Sequence, residues 1–477
     1  MPPYNVPVRL VHDTTVITPH GDGVRVLPGH SLAFDGGRIV ELRPAAEFEA
    51  RIRTGAFNEV IRADCHLTIP GLVNTHHHLY QSITRCLTAV QDKPLFHWLL
   101  GLYERWRHLD YQAVKAAAQV SIAELLLHGC TTTSDHFYMF PRGRDVRPEA
   151  VLEAAEELGI RLHLCRGAMT LGRSRGGLPP DDCVEDDADV LRDCQRVLES
   201  WHDPSDCAMR RIDLAPCSPF NCTPELIRDT VWLARQRGGV LLHTHLAETL
   251  DEERYCLERY GCRPVQFLRD LGFFGRDVYL AHCVHLLDAE IAEFAAAGVG
   301  VCHAPTSNMR LGSGIAPIRK LLRAGVKVGL AVDGSSSNDG GNLLGEIKQA
   351  LLAARLVDCG AQRAGAGEPA DGSLWPVVEA FKLATIGGAA VLNRPALGHL
   401  NPGAAADFAL FRADDVALAG AVAHDPLAAL VLCDAPRAER VFVAGREVVH
   451  EGRLVATRES ELSEQLNRLA SERFRAP

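Results

Sequence analysis

Through most of this chain, short apolar runs alternate with longer stretches of helical periodicity. Runs ending near His76, Asp135, Gly167, Cys217, His245, His282, His303 and Asp333 read as strands, because each is brief and set off from the next by a helical pattern. Between them, 112–127, 148–158 and 225–236 place apolar residues at three- and four-residue spacing, the mark of an amphipathic helix. Eight strands with helices between them predict an α/β fold, a (β/α)8 TIM-like barrel.

The two ends have a different texture. Val8-Arg-Leu-Val, Thr15-Val-Ile-Thr and Arg38-Ile-Val-Glu-Leu read as short strands separated by Gly-rich turns. Asp407-Phe-Ala-Leu-Phe, Ala429-Leu-Val-Leu-Cys and Arg440-Val-Phe-Val repeat that texture, with Gly445 where a hairpin turn belongs. Residues 1–67 and 400–477 are therefore expected to form one discontinuous β-sandwich, ending in a polar helix over 459–475, around a barrel of 68–399. The small-residue stretch 360–372 reads as a loop.

Chemistry concentrates at the predicted strand ends, where barrels gather their catalytic groups. Pro70-Gly-Leu-Val-Asn-Thr closes on His76-His77-His78. Strand alternation turns His76 and His78 to one face and His77 to the other. One divalent cation, Zn²⁺ or Fe²⁺, needs a third nitrogen and an oxygen. His243 and His245 share a face; His245 is preferred because it lies nearer the strand end and Glu248 follows it by three. Asp333 supplies the oxygen and a base for water. Glu248 suits a proton shuttle, His282 an oxyanion or proton-relay role, and His303 a place on the pocket wall.

Composition narrows the partners. The 477 residues are 47% hydrophobic and 23% charged, ordinary values for a soluble enzyme. A net charge of −10 argues against a phosphate-gripping nucleic-acid partner. No apolar run is long enough to span a membrane, and the first residues lack the pattern of a secretory signal. The 15 cysteines are scattered without any C-x-x-C pair, which predicts reduced thiols and a cytoplasmic location.

Pro70-Gly-Leu-Val-Asn-Thr-His-His-His, His243-Thr-His-Leu-Ala-Glu, Ala281-His-Cys-Val-His, Ser307-Asn-Met and Val332-Asp-Gly together resemble the amidohydrolase superfamily, in its cytosine-deaminase-like branch. The resemblance spans nearly the whole chain and implies a mononuclear site. In agreement, Arg211-Ile-Asp-Leu-Ala-Pro-Cys-Ser-Pro, the fourth strand, lacks the lysine that bridges two metals in binuclear relatives. Purine deaminases of the branch resemble this chain most. They imply that Gln81 reads a purine edge and that Pro94-Leu-Phe-His-Trp98-Leu walls the pocket. Guanine deaminases carry an arginine after the fourth strand, where this chain has Cys217, a version similar to 8-oxoguanine deaminases.

The resemblance thus implies hydrolysis of 8-oxoguanine to urate and ammonia, with a small purine-like substrate and a homo-oligomeric enzyme. Deamination of guanine or isoguanine, or hydrolysis of an s-triazine, is the alternative. Outside enzymes, the rival is a catalytically silent metal-binding scaffold. Degenerate chains of that kind usually lose a ligand or the glutamate, and both are present here.

Overall fold

In the computed structural model, residues 8–363, 374–434 and 436–474 are described. The N-terminal strands are β1 (Arg9–His20), β2 (Gly23–Asp35), β3 (Arg38–Pro44), β4 (Glu59–Arg62) and β5 (His66–Pro70). Residues 9–11 and 15–18 of the two apolar stretches belong to the single strand β1, which bulges between Val11 and Val16, where Asp13 takes a positive φ of 61°. The extra residue breaks the alternation, which makes one strand look like two in sequence.

The next eight strands are β6 (Leu72–Asn74), β7 (Cys130–Phe137), β8 (Arg161–Ala168), β9 (Arg210–Pro216), β10 (Leu242–Leu246), β11 (Val278–His282), β12 (Gly300–His303) and β13 (Lys327–Leu330). They pair in parallel and in chain order. The first and last strands meet through Thr75 N–H, which donates to the Leu330 carbonyl at 3.0 Å, and Asp333 N–H, which donates to the His76 carbonyl at 3.1 Å. This is a nearly closed eight-stranded barrel. Helices cover its outside, including Tyr111–Leu127, Glu149–Leu158 and Pro224–Arg235.

β14 (Phe408–Arg412), β15 (Arg440–Val443), β16 (Arg446–His450) and β17 (Arg453–Leu454) return to the first sheet, where β14 lies antiparallel to β5. β15 and β16 form the expected hairpin, with Ala444 and Gly445 both at positive φ. Together the nine strands make one continuous, mostly antiparallel sheet. It curls on itself. β2 and β15 stand four places apart in strand order, roughly 19 Å in a flat sheet, yet the Phe34 and Phe442 rings are 5.6 Å apart. Phe408 stacks on Phe442 at 4.6 Å, so these rings fill the interior between the curled faces.

Two local expectations change. Ala429-Leu-Val-Leu-Cys is helical, as part of Pro426–Leu432, because Asp425 caps the Ala428 N–H and Pro426 occupies the first turn. A short apolar run carries no period of its own, and the cap decided it. The helix Leu343–Arg363 runs into the stretch read as a loop from 360; residues 364–372 lie outside the described residues. The C-terminal helix covers Glu459–Phe474. Among the described residues the cysteines are free thiols, and no helix is long and apolar enough to cross a membrane.

Candidate metal centre and substrate cavity

β6 ends at Asn74, just before the histidine run. His76 and His78 converge, their rings 4.7 Å apart, and His77 is buried elsewhere with neither ring nitrogen bonded. His245, near the end of β10, brings its Nε2 to 3.1 Å from His78 Nε2. Asp333, beyond β13, places Oδ1 3.3 Å from His76 Nε2 and 3.4 Å from His78 Nε2. Donors about 2.1 Å from a shared ion in a tetrahedron stand roughly 3.4 Å apart. The His78–His245, His76–Asp333 and His78–Asp333 separations match the edge lengths of such a site, and His76 Nε2 is buried with no hydrogen-bond partner.

The far side of each ring fixes which nitrogen is free. His78 Nδ1 lies 2.7 Å from the His136 carbonyl and His245 Nδ1 lies 2.6 Å from the Cys217 carbonyl, so both donate there and leave Nε2 bare. His243 Nδ1 donates to the Tyr279 carbonyl at 2.8 Å, which makes its Nε2 an acceptor for His76 Nδ1–H at 2.7 Å. That two-step relay frees His76 Nε2. Second contacts of this kind orient ligands and raise their basicity. Burial holds His76 well below, and His78 below, the usual imidazole range; burial, then His78, pushes His245 down to about 3. Neutral imidazoles are what a cation requires.

Burial would raise the Asp333 pKa, but the surrounding His76, His282 and His78 outweigh it and keep the group well below the carboxylate range. Its Oδ2 accepts from Ser307 Oγ at 2.5 Å and Ser337 Oγ at 3.2 Å, while Gly334 N–H donates to Oδ1 at 2.6 Å. Across the site, Glu248 Oε2 stands 3.5 Å from His282 Nε2, and Ser313 Oγ donates to Glu248 Oε1 at 3.2 Å. Burial pushes the Glu248 carboxyl up despite the nearby His282. Burial alone would lower His282, but Glu248 and Asp333 raise it. Both groups therefore hold protons more readily than usual. His282 is oriented by Asn308 Oδ1 at 3.0 Å.

The backbone is strained here. Ala247, His282, Cys283 and Asp333 all adopt positive φ, between 51° and 74°. Such conformations in non-glycine residues persist where surrounding structure overdetermines them, and they concentrate at functional sites. Glu252 supplies part of that support by accepting the Ala247 and Glu248 N–H groups at 3.0 and 2.9 Å.

A cavity opens over these groups. His78, His245, Glu248, His282 and Asp333 share its lining with Gln81, Trp98 and Cys217. Leu95, Trp98, Leu99 and Tyr103 come from one face of the helix Leu95–Trp106. His303 is buried at the end of β12 and is not among the residues lining this cavity. Sequence reasoning missed His136, whose ring stacks on His245 at 4.8 Å and whose position groups it with His76, His78 and His245 as a potential metal donor. It follows Asp135 near a strand end, so proximity to that end was the available signal. Tyr138 and Asn221 also line the cavity and carried no motif.

The amidohydrolase family matches residues 67–448. Over 421 residues, 88% of this chain and 90% of the relative, the sequence is 45% identical to an 8-oxoguanine deaminase of Pseudomonas aeruginosa. It is 36% identical to hydroxydechloroatrazine ethylaminohydrolase of a Pseudomonas species, over 92% of this chain and 90% of that protein. Among solved structures, an atrazine chlorohydrolase from Arthrobacter aurescens complexed with zinc superposes with a TM-score of 0.88 at 34% identity, covering 97% of this chain and 100% of that one. With the barrel, the histidine and aspartate cluster and these likenesses in place, the chain belongs to the amidohydrolase family.

Proposed function

We propose that this amidohydrolase deaminates 8-oxoguanine, giving urate and ammonia, with one divalent cation, zinc or iron, held by His76, His78, His245 and Asp333. The cation would supply Lewis acidity that brings water's ionisation within reach of neutral pH. Asp333 accepts the proton of the attacking water as its oxygen bonds to C2. Glu248, its carboxyl raised by burial, delivers a proton to the adjacent ring nitrogen. His282, held between Glu248 and Asp333, supports the charge that develops at C2. The carbon–nitrogen bond then breaks: the amine departs as ammonia with the proton Asp333 had taken, and the C2 hydroxyl returns its proton to Glu248 as it becomes the new carbonyl.

The observation that carries this reading is the shared cavity: Gln81, Trp98 and Cys217 line the same space as Glu248, His282 and Asp333. Gln81 offers a donor and an acceptor to a heterocycle edge. Cys217 is small and weakly polar where an arginine would favour a bare carbonyl. The reading assigns catalysis to 68–399 and support to 1–67 and 400–477, in a cytoplasmic homo-oligomer. Exposed Leu352 and Leu356, on one helix, suit self-association, which light scattering tests.

The substrate test compares kcat/KM for 8-oxoguanine and guanine. A preference of about tenfold or more for 8-oxoguanine is expected; the reverse preference would defeat the substrate and leave the hydrolase intact. The likeness to triazine-acting relatives favours an s-triazine as the second reading. Ammonia or chloride release from a triazine panel decides it.

A further inference from the structure

The polar lining of the cavity is unevenly satisfied. Gln81 Oε1, Trp98 Nε1 and Asn221 Oδ1 are each buried without a hydrogen-bond partner, and all three residues line the cavity. Leaving a buried polar atom unpaired costs about 1–3 kcal/mol. Three around one cavity mark a place where a ligand completes the bonding.

Gln81 and Trp98 already belong to the proposed site; Asn221 does not. It lies on the turn between β9 and the helix Pro224–Arg235 and is 1% exposed. Its backbone is tied at both ends. The carbonyl accepts the Thr170 and Leu171 N–H groups at 2.9 and 3.0 Å, and its own N–H donates to the Ser218 carbonyl at 3.2 Å. Its Nδ2 donates to Tyr103 Oη at 3.0 Å and reaches Cys217 Sγ at 3.6 Å. With Nδ2 engaged, Oδ1 is left as a fixed, bare acceptor. Burial holds the neighbouring Cys217 thiol protonated, so no anion stands beside it.

We infer that Asn221 Oδ1 is a specificity-determining acceptor that takes a ring N–H of the substrate. This rests on the oxidised-purine reading and names what the site selects. An 8-oxopurine carries N–H at both imidazole nitrogens. A purine without the 8-oxo group has N–H at only one, and the other presents a lone pair. A fixed acceptor facing that lone pair is left unbonded and repelled, whereas facing N–H it is satisfied. A site built to bond a group discriminates strongly against an analogue that lacks it.

The test uses the metal-loaded enzyme and two ligands with no 2-amino group to lose, 8-oxohypoxanthine and hypoxanthine. Calorimetry gives Kd for both with wild type, Asn221→Leu and Asn221→Ala, alongside metal content and melting temperature. Wild type should bind 8-oxohypoxanthine at least about tenfold tighter, and the variants should bring the ratio near one with metal retained. An unchanged ratio in a folded, metal-loaded variant overturns the inference, as does a wild type without preference. If Asn221→Leu does not fold, Asn221→Ala and the wild-type comparison still decide. Failure of the deaminase reading is separate: a wild type that shows the expected ratio yet releases no ammonia from 8-oxoguanine refutes the activity and leaves the Asn221 assignment standing.

Discussion

At the scale of single residues, the proposed mechanism separates holding a metal from moving a proton. His78 lies at a ligand-edge distance from His245, and Asp333 at such distances from His76 and His78. Glu248 stands off, bonded to Ser313 and close to His282. Replacing Glu248 with Gln keeps its size and a hydrogen-bonding end but removes the transferable proton. Metal content should stay near wild type while turnover falls by roughly 10²-fold or more. Metal analysis beside steady-state kinetics checks this, and loss of the ion would make Glu248 a ligand instead. The His76–His243–Tyr279 relay shows why a second histidine lies on the same strand face as His245: it fixes the proton on His76.

At the scale of elements, the helix Leu95–Trp106 turns Leu95, Trp98, Leu99 and Tyr103 toward the cavity, at the three- and four-residue spacing of one helical face. Trp98 is the largest of these, and in the proposed function its indole stacks on the planar substrate. Truncating such a ring typically removes about 1–3 kcal/mol of stacking. Trp98→Ala should therefore raise KM by about tenfold with a smaller change in kcat and unchanged metal content. Equal loss in kcat and kcat/KM would mean that the indole acts on the transition state alone. Helical periodicity was readable at 112–127, 148–158 and 225–236, whereas 429–433 was misread because the cap of its helix, Asp425, lies outside the apolar run.

At the scale of the molecule, the two sheets are joined by a buried ion pair. Arg161 at the start of β8 grips Asp407 before β14 through two contacts, at 2.9 and 3.1 Å, and Asp407 Oδ1 also accepts the hairpin's Ala444 N–H at 2.7 Å. Asp407→Ala leaves the buried guanidinium uncompensated, so denaturant unfolding should show a loss of about 3–5 kcal/mol, with near-normal turnover in the fraction that remains folded. A loss below ~1 kcal/mol would show that the pair contributes little. Chelation should abolish turnover and lower the melting temperature, with both restored by one equivalent of zinc or iron per chain. An ion that binds only the folded state at 100 times its Kd adds about 2.7 kcal/mol. Two ions per chain, each with protein ligands, would contradict the single site.

The sequence by itself carried the alternation of strands and helices and the position of chemistry at strand ends, because period and apolar run length are local properties. His76, His78, His245, Glu248, His282 and Asp333 were legible for the same reason: each follows its own apolar run closely. The bulge in β1 was set by its pairing with β2, and the curl that brings Phe34 onto Phe442 depended on pairing between distant strands. So did the approach of His136 to His245. The unpaired Asn221 Oδ1 is of the same kind. Only the folded packing decides which polar atoms find partners within the chain and which are left facing a ligand.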